Sequence, residues 1–179
     1  MKKSYAVVTG ASSGIGECFA RRLAKEGYSL VLVARRKERL NRLADELKAE
    51  GTHVVIETAD LSKKDECLRL MSALGDKRIG VFINNAGFGD CGRFADTSLD
   101  KDLDMIDVNI RAVHILTKLV LRKMRSQGGG YLLNVASSAG LIPAGPYMAT
   151  YYASKAYVAS MTRAVARELR EEGSQVYVG

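Results

Sequence analysis

The sequence is poor in the residues that build cross-linked, metal-bound or membrane-spanning proteins. Its 179 residues include no tryptophan, two prolines, two histidines and three cysteines. Cys18, Cys67 and Cys91 are widely spaced and lie outside any CxxC or Cys/His cluster, which excludes a disulfide framework or a zinc site as the organising feature. We therefore expect no bound metal and ordinary thiols in a reducing, cytoplasmic setting.

Long apolar runs are also missing. No run reaches the length of a membrane span, and the N-terminus Met1–Ser4 leads into too short an apolar stretch for a secretory signal. With 47% hydrophobic and 26% charged residues and no Pro-rich linker, the composition predicts one globular domain over residues 1–179.

The charge is basic but dispersed. The formal net charge of +7 comes from Lys and Arg that are interleaved with acidic residues, as in Lys37-Glu38-Arg39. This favours a solvated basic surface and a phosphate-bearing ligand over nucleic acid, because no basic stripe with interleaved aromatic residues is present. Nucleic-acid binding stays open as the weaker alternative.

Short apolar, β-branched runs alternate with segments of helical period, which predicts repeated βα units. Repeated units of this kind build a Rossmann-type α/β fold, in which a doubly wound parallel sheet has helices on both faces. We predict strands at Tyr5–Thr9, Ser29–Ala34, His53–Thr58, Ile79–Asn84 and Tyr131–Ala136, with a sixth beginning at Gln175.

Two features locate the helices. In the second helix Leu40, Leu43, Ala44 and Leu47 share one face. Gly27, Gly51 and Gly75 fall where helices end, and helix ends favour a left-handed residue. The fourth helix is predicted at about Asp100–Ser126 and the fifth at about Met148–Glu172.

A glycine-rich turn, TGASSGIG at Thr9–Gly16, joins the first strand to the first helix. Gly10 permits the tight turn, Gly14 allows backbone to approach a pyrophosphate, and Gly16 allows close packing of the helix. Glycines also serve ordinary loops, and the spacing is GxxxGxG rather than GxGxxG. The position between strand and helix favours dinucleotide binding.

The second strand ends in Ala34-Arg35-Arg36, where an NAD-specific site usually carries an acidic residue for the ribose 2′-hydroxyl. A carboxylate would repel a 2′-phosphate, whereas the guanidinium of Arg35 can bind one. This predicts NADP(H) as the cofactor. The alternative is that Arg35 and Arg36 merely open a charged helix.

Tyr151 and Lys155 lie four residues apart in a predicted helix and therefore share one face. The lysine ammonium would stabilise a phenolate, so the pair can exchange a proton with a carbonyl or an alcohol. Tyr152 points about 100° away and is the poorer candidate. Ser138 follows the fifth strand, where a side chain would project into the crevice, although a serine pair is common in loops.

Together these motifs resemble the short-chain dehydrogenase/reductase family over essentially the whole sequence. Beyond the glycine-rich turn, Ser138 and the Tyr151/Lys155 pair, the resemblance rests on Asp60-Leu61, Asn84–Gly87 and Asn109. Several independent motifs occur in the family's order and spacing.

The resemblance implies an NADP-dependent oxidoreductase that interconverts a carbonyl and a secondary alcohol. Tyr151 would be the general acid/base and Lys155 would support it and bind the nicotinamide ribose. Ser138 would orient the substrate oxygen, and Asn109 would hold a relay water. Asn84 is as suited to bracing the strands as to contacting a ligand. The implied cofactor contacts are Gly10, Ser12, Ser13, Gly14, Ile15, Gly16, Arg35, Asp60, Leu61, Asn85, Ala86, Gly87, Tyr151 and Lys155.

The sequence departs from the family at its end. It stops in the sixth strand at Gly179, whereas family members continue with a Pro-Gly turn, a mobile helical substrate loop and a final strand. We expect a chain without the substrate lid, in which dinucleotide binding survives better than turnover. The alternative is a non-catalytic NADP-binding module or a truncated fragment.

Relatives pair through the fourth and fifth helices, so we expect a homodimer or homotetramer. Met161, Ala164, Val165 and Leu169 are candidates for that face, although packing on the sheet would explain some of them equally well.

Overall fold

A computed structural model, which describes residues 4–179, arranges six parallel strands in one sheet of order β3-β2-β1-β4-β5-β6. The chain is wound outward from β1 in one direction and then from β4 in the other. Loops after β1 and β4 therefore diverge and leave a crevice at the carboxyl ends of these strands. The strands are β1 (Tyr5–Thr9), β2 (Ser29–Ala34), β3 (Val54–Thr58), β4 (Ile79–Asn84), β5 (Gly130–Asn134) and β6 (Val176–Val178).

Helices cover both faces of the sheet, which confirms the predicted Rossmann-type α/β fold. They are α1 (Gly14–Lys25), α2 (Lys37–Ala49), α3 (Lys64–Leu74), α4 (Leu99–Ile106), α5 (Val113–Ser126) and α6 (Ala149–Glu171). A π-helical segment (Asp107–Ala112) joins α4 to α5, and a 3-10 turn (Ser138–Gly140) follows β5.

Alternating strand residues supply two cores, one on each face. On one face Val7 of β1 packs in a cluster with Phe82 of β4 and Leu116 of α5. On the other face Val8 of β1 packs in a cluster with residues of α1 and α2, among them Leu40. Strands β1 and β2 are buried on both sides, so their sequences are apolar nearly throughout rather than alternating.

The predicted apolar face of α2 is confirmed, because Leu40, Leu43, Ala44 and Leu47 are all buried. The predicted helix-ending glycines Gly27, Gly51 and Gly75 all have positive φ. Cys67 is a core residue of α3, where burial raises the pKa of its thiol to about 11. The three cysteines are free.

Several predicted boundaries are wrong by one residue. The third strand starts at Val54 rather than His53, the sixth at Val176 rather than Gln175, and the last helix spans Ala149–Glu171 rather than Met148–Glu172. These ends are already bonded to neighbours, since the His53 carbonyl accepts from Leu30 N.

Two larger differences have physical causes near the crevice. The predicted strand Tyr131–Ala136 is observed as Gly130–Asn134, because the Val135 carbonyl leaves the sheet and accepts a hydrogen bond from Lys155 Nζ. The predicted helix Asp100–Ser126 is three segments, because the chain widens to a π-helix at Asp107–Ala112.

Within residues 4–179, no helix combines the length and the apolar character needed to cross a membrane. The predicted absence of a signal segment concerns Met1–Ser4, of which only Ser4 lies in the described range.

Candidate active site

A cleft of about 820 Å³ opens at the carboxyl ends of the strands. It runs from the end of β2, past the glycine-rich turn and the loop after β4, to the start of α6. Of the residues expected to contact a cofactor, those that line it are Gly10, Ser12, Ser13, Ile15, Arg35, Asp60, Leu61, Asn85, Ala86, Gly87, Tyr151 and Lys155. The cleft therefore brings together residues from most of the chain.

The glycine-rich turn is shaped by close backbone approaches. Gly10 has a φ of 66°, which suits the tight turn off β1. A Cβ on Gly16 would lie 2.3 Å from the Gly10 carbonyl oxygen and 2.6 Å from Asn85 Nδ2. Gly16 therefore packs against the turn and the next loop, behind the wall of the cleft. Gly14, at the start of α1, has a φ of 57° and open space around it.

The loops after β1 and β4 are joined by hydrogen bonds. Thr9 Oγ1 accepts from the amides of Asn85 at 2.9 Å and Ala86 at 3.0 Å. Asn85 Nδ2 donates to the Thr9 carbonyl at 3.0 Å. Asn85 thus braces the two loops in addition to lining the cleft. Asn84 is buried and donates to Asn134 Oδ1 at 2.8 Å, which gives Asn84 a bracing role between β4 and β5.

The end of β2 presents two cations rather than one. Arg35 and Arg36 are both exposed and both line the cleft. Arg36 Nη2 donates to Ser12 Oγ at 2.9 Å and to Ser13 Oγ at 2.7 Å. Arg35 is the cofactor contact predicted from the sequence, and Arg36 is a second cation beside it. The contact of Arg36 with the glycine-rich turn depends on which loops meet in space, so no local pattern indicated it.

Tyr151 and Lys155 share one face of α6, as their spacing predicts, and Tyr152 is not among the described residues that line the cleft. Lys155 Nζ lies 5.9 Å from the centre of the Tyr151 ring. Lys155 is 6% exposed, and its ammonium donates to the Val135 carbonyl at 2.9 Å. Burial lowers the pKa of Lys155 below its ordinary value of 10.5.

Asn109 lies in the π-helical segment and is fully buried. Its amide clamps the loop after β4, since Oδ1 accepts from Phe88 N at 3.1 Å and Nδ2 donates to the Phe88 carbonyl at 2.8 Å. Nδ2 also lies 3.1 Å from Ser154 Oγ of α6. A Cβ on Gly87 would meet Asn109 Oδ1 at 2.9 Å and Lys155 Nζ at 3.5 Å, so both groups converge on Gly87.

The placement of Ser138 differs from the sequence expectation. Ser138 opens the 3-10 turn, is exposed, and is not among the described residues that line the cleft. The chain turns immediately after β5, and the turn is capped by Ser137 Oγ, which accepts from Ala139 N at 3.2 Å. Ser138 therefore lies in this turn, four residues beyond the last residue of β5.

The far wall of the cleft was not anticipated from the sequence. Phe88, Gly89, Asp90 and Cys91 of the loop after β4 line it together with Met148. Tyr151 packs on this wall, because a Cβ on Gly89 would lie 3.0 Å from its Cδ2. The loop is held by an Asp90–Lys101 ion pair of 2.7 Å, which lowers the pKa of the Asp90 carboxyl. These residues directly follow the Asn84–Gly87 motif, and this position after the motif was the signal in the sequence that could have indicated them.

A family model described as short chain dehydrogenase matches residues 4–179. The chain belongs to the short-chain dehydrogenase family. This confirms the resemblance drawn from the motifs.

Similar short-chain dehydrogenases extend further than this chain. The very-long-chain 3-oxoacyl-CoA reductase of Anas platyrhynchos is 37% identical over 176 residues, which are 95% of this chain and 56% of that protein. A similar reductase of Laccaria bicolor is 36% identical, over 98% of this chain and 53% of its own length. The chain thus spans about half the length of these curated relatives.

Two solved short-chain dehydrogenases hold different dinucleotides. One from Sphingobium yanoikuyae, in complex with NADPH, has a TM-score of 0.90 and 36% identity, and the match covers 98% of this chain and 68% of that one. One from Burkholderia phymatum, in complex with NAD, has a TM-score of 0.92 and 32% identity over 98% and 63% of the two chains. The family therefore supports a nicotinamide dinucleotide and does not distinguish NADP from NAD.

The residues of this short-chain dehydrogenase fit such a cofactor. The glycines leave backbone exposed beside the amino-terminal end of α1, where amide groups favour phosphate. The cleft continues without interruption from Arg35 to Lys155. Among residues 4–179, no three His, Cys, Asp or Glu side chains are grouped closely enough to hold a metal ion.

The buried ammonium of Lys155 should give folding stability a specific pH dependence. Because the pKa of Lys155 is lowered in the folded chain, the unfolded chain binds more protons between that pKa and about 10.4. The free energy of unfolding should therefore gain a component that rises with pH across this window. Thermal melts of the parent and Lys155→Met between about pH 7 and 10.5 measure this component, which the variant should lack.

Lys118→Met is the matched control, because Lys118 is exposed on α5. It should keep the pH slope of the parent. Equal slopes in all three proteins would show that Lys155 is not penalised by burial.

Proposed function

We propose that this chain is the cofactor-binding and catalytic part of an NADP-dependent oxidoreductase that interconverts a carbonyl and a secondary alcohol. The observation that carries the proposal is the Tyr151/Lys155 pair on one wall of the cleft that also contains the glycine-rich turn. The family to which the chain belongs supports oxidoreduction in general.

When bound, the nicotinamide supplies the hydride for reduction of the carbonyl carbon, or accepts it in the reverse direction. Tyr151 would donate its hydroxyl proton to the carbonyl oxygen during reduction and take the alcohol proton during oxidation. The ammonium of Lys155 would stabilise the phenolate that this transfer leaves. The Val135 carbonyl holds that ammonium at the wall of the cleft.

The remaining predicted roles are parts of the same proposal. Asn109 would help to return a proton to Tyr151 through the region beside Gly87, where Asn109 Oδ1 and Lys155 Nζ converge. Ser138 would orient the substrate oxygen, and its exposed position on a short turn leaves its hydroxyl accessible to a substrate.

The preference for NADP over NAD rests on two arginines. Arg35 and Arg36 line the same end of the cleft, and Arg36 is held by the hydroxyls of Ser12 and Ser13. Two guanidinium groups can form charge-assisted bonds with a 2′-phosphate. Asp60 is the carboxylate expected to contact the adenine, and its Oδ1 accepts a hydrogen bond from the Ser62 hydroxyl at 2.9 Å.

Removing either guanidinium should weaken NADPH binding by about 10- to 100-fold, in line with the loss of one charge-assisted contact of ~1.5–3 kcal/mol. Fluorescence titrations of Arg35→Ala and Arg36→Ala with NADPH and with NADH measure the effect. NADH binding should change little, because NADH lacks the 2′-phosphate.

Lys37→Ala is the control, since Lys37 is an exposed neighbouring cation that is not among the residues described at the cleft wall. It should bind NADPH as the parent does. Equal affinity of the parent for NADH and NADPH would contradict the proposed preference.

The substrate class is proposed from the far wall and one relative. Phe88, Cys91, Val135 and Met148 give this part of the cleft an apolar lining next to Tyr151. The Anas platyrhynchos relative is named for very-long-chain 3-oxoacyl-CoA, in which a ketone adjoins a long apolar chain. We therefore propose ketones with a large apolar group, in preference to small polar carbonyls, as the substrates to test first.

Replacing the phenol by Tyr151→Phe should abolish NADPH-dependent reduction of such ketones and leave NADPH affinity within about twofold of the parent. Tyr152→Phe is the matched control and should keep the parent rate, because Tyr152 is not among the described residues that line the cleft. Consumption of NADPH followed at 340 nm, together with the titration, separates the two effects.

Turnover that survives Tyr151→Phe would contradict the assigned acid/base role. NADPH binding by the parent without turnover of any ketone or aldehyde would instead support the alternative, a nucleotide-binding module that needs further polypeptide for catalysis.

We also propose that the chain assembles as a homodimer or homotetramer in a reducing cytoplasm, where its three free thiols would persist. An exposed apolar face lies on α4, where Leu99 is 70% and Leu103 49% exposed. Of the candidates on α6, Leu169 and Val165 pack on the core instead. Sedimentation equilibrium should give a multiple of the 19.5 kDa chain mass, and Leu99→Glu/Leu103→Glu should return a monomer. A monomeric parent would contradict this assembly.

A further inference from the structure

Four polar side chains form a hydrogen-bonded network in the core between the sheet and helices α5 and α6. Asn84 of β4, Thr117 of α5, Asn134 of β5 and Thr162 of α6 are each between 2% and 8% exposed. Asn84 Nδ2 lies 2.8 Å from Asn134 Oδ1 and 3.2 Å from Thr117 Oγ1. Thr117 Oγ1 also donates to Asn134 Oδ1 at 3.0 Å. None of the four is among the described residues that line the cleft.

One hydrogen bond of this network reaches α6, the helix that carries Tyr151 and Lys155. Asn134 Nδ2 donates to Thr162 Oγ1 at 3.0 Å, and this bond ties β5 to the middle of α6. Apolar contacts between a helix and a sheet tolerate small displacements, whereas a buried hydrogen bond does not. Sliding α6 by one residue would move Thr162 by about 1.5 Å and leave the Asn134 amide unsatisfied in the core.

The same strand end holds Lys155. Asn134 is followed by Val135, whose carbonyl accepts from Lys155 Nζ at 2.9 Å. Thr162 lies seven residues after Lys155, which is two turns along one face of α6. The last residue of β5 and the residue that follows it therefore hold α6 at two points, one at the proposed catalytic lysine and one about 10 Å further along.

The 3-10 turn after β5 packs so closely on α6 that little space is left for the helix to slide along the sheet. A Cβ on Gly140 of the 3-10 turn would lie 2.4 Å from the Lys155 carbonyl oxygen. The turn therefore packs directly against the backbone of α6 at Lys155, and the network holds the same helix at Thr162.

We propose that Asn134 and Thr162 are positioning residues, and that their buried hydrogen bond sets the register of α6 so that Lys155 reaches the Val135 carbonyl beside Tyr151. Thr117 belongs to the same network but braces α5, so it contributes to stability and not to the placement of Lys155. The catalytic consequence rests on the proposed function, whereas the placement of the ammonium is a property of the fold.

Thr162→Val and Thr117→Val provide the matched pair. Each removes one buried hydroxyl from the same network without changing the side-chain shape, so both should lower the melting temperature by a similar few degrees. Competitive labelling of lysines with acetic anhydride across a pH series, read by mass spectrometry, then reports the exposure and the titration of Lys155 without cofactor or turnover.

Thr162→Val should raise the labelling rate of Lys155 by about three- to tenfold, the factor that corresponds to one lost buried hydrogen bond. Thr117→Val should leave the rate as in the parent, and Thr162→Ser, which keeps the hydroxyl, should restore it. Lys118 of α5 serves as the internal reference in every sample. Where turnover is measurable, kcat should fall in Thr162→Val and stay at the parent value in Thr117→Val.

Equal Lys155 labelling in Thr162→Val and Thr117→Val would overturn the proposal. If Thr162→Val does not fold, Thr162→Ala replaces it, since alanine also removes the hydroxyl and favours the helix. Failure of both to fold, while Thr117→Val folds, would make the hydroxyl a determinant of folding and would also overturn the positioning role. Absence of turnover in the parent would count against the proposed function alone, because the labelling result does not depend on it.

Discussion

The hydrogen bonds between Thr9 and the loop after β4 are the junction on which the site depends. In a doubly wound sheet the crossovers leave β1 and β4 in opposite directions, so the two loops would separate if nothing held them. Thr9 Oγ1 takes the amides of Asn85 and Ala86, and Asn85 returns a bond to the Thr9 carbonyl. One hydroxyl and one carboxamide thereby fix the floor of the cleft.

The rest of the cleft is built outward from this junction. Asn85 also faces the space that a side chain on Gly16 would occupy, so α1 can approach the turn closely. Further along the same loop, Asn109 clamps the backbone of Phe88, and this segment becomes the wall on which Tyr151 packs. The buried Asn109 lies in the π-helical segment, which interrupts the regular helix between α4 and α5. This segment places the Asn109 side chain against the backbone of Phe88.

Polar groups are buried around α6 in a way that apolar packing alone would not require. An ammonium at Lys155 and a four-member amide and hydroxyl network both lie beneath the helix, and each buried group is satisfied by a specific partner. Burial of a charge is costly, and the lowered pKa of Lys155 is the direct expression of that cost. Such groups specify one arrangement of neighbours, because any shifted arrangement leaves a buried donor unpaired.

The sequence by itself determined the features that depend on neighbours along the chain. Apolar periodicity gave the order of strands and helices, the spacing of four residues placed Tyr151 and Lys155 on one face, and glycine positions marked the turn after β1. Only the tertiary structure decided the contacts between distant segments: Arg36 with Ser12 and Ser13, Asn109 with Phe88, and Asn134 with Thr162. It also decided that β5 ends at Asn134 and leaves Ser138 exposed, since the Val135 carbonyl turns toward a lysine 20 residues away. The physical reason is that periodicity depends on consecutive residues and can be recognised along the chain. A hydrogen bond between distant segments forms only when the order of the strands brings donor and acceptor to within about 3 Å of each other.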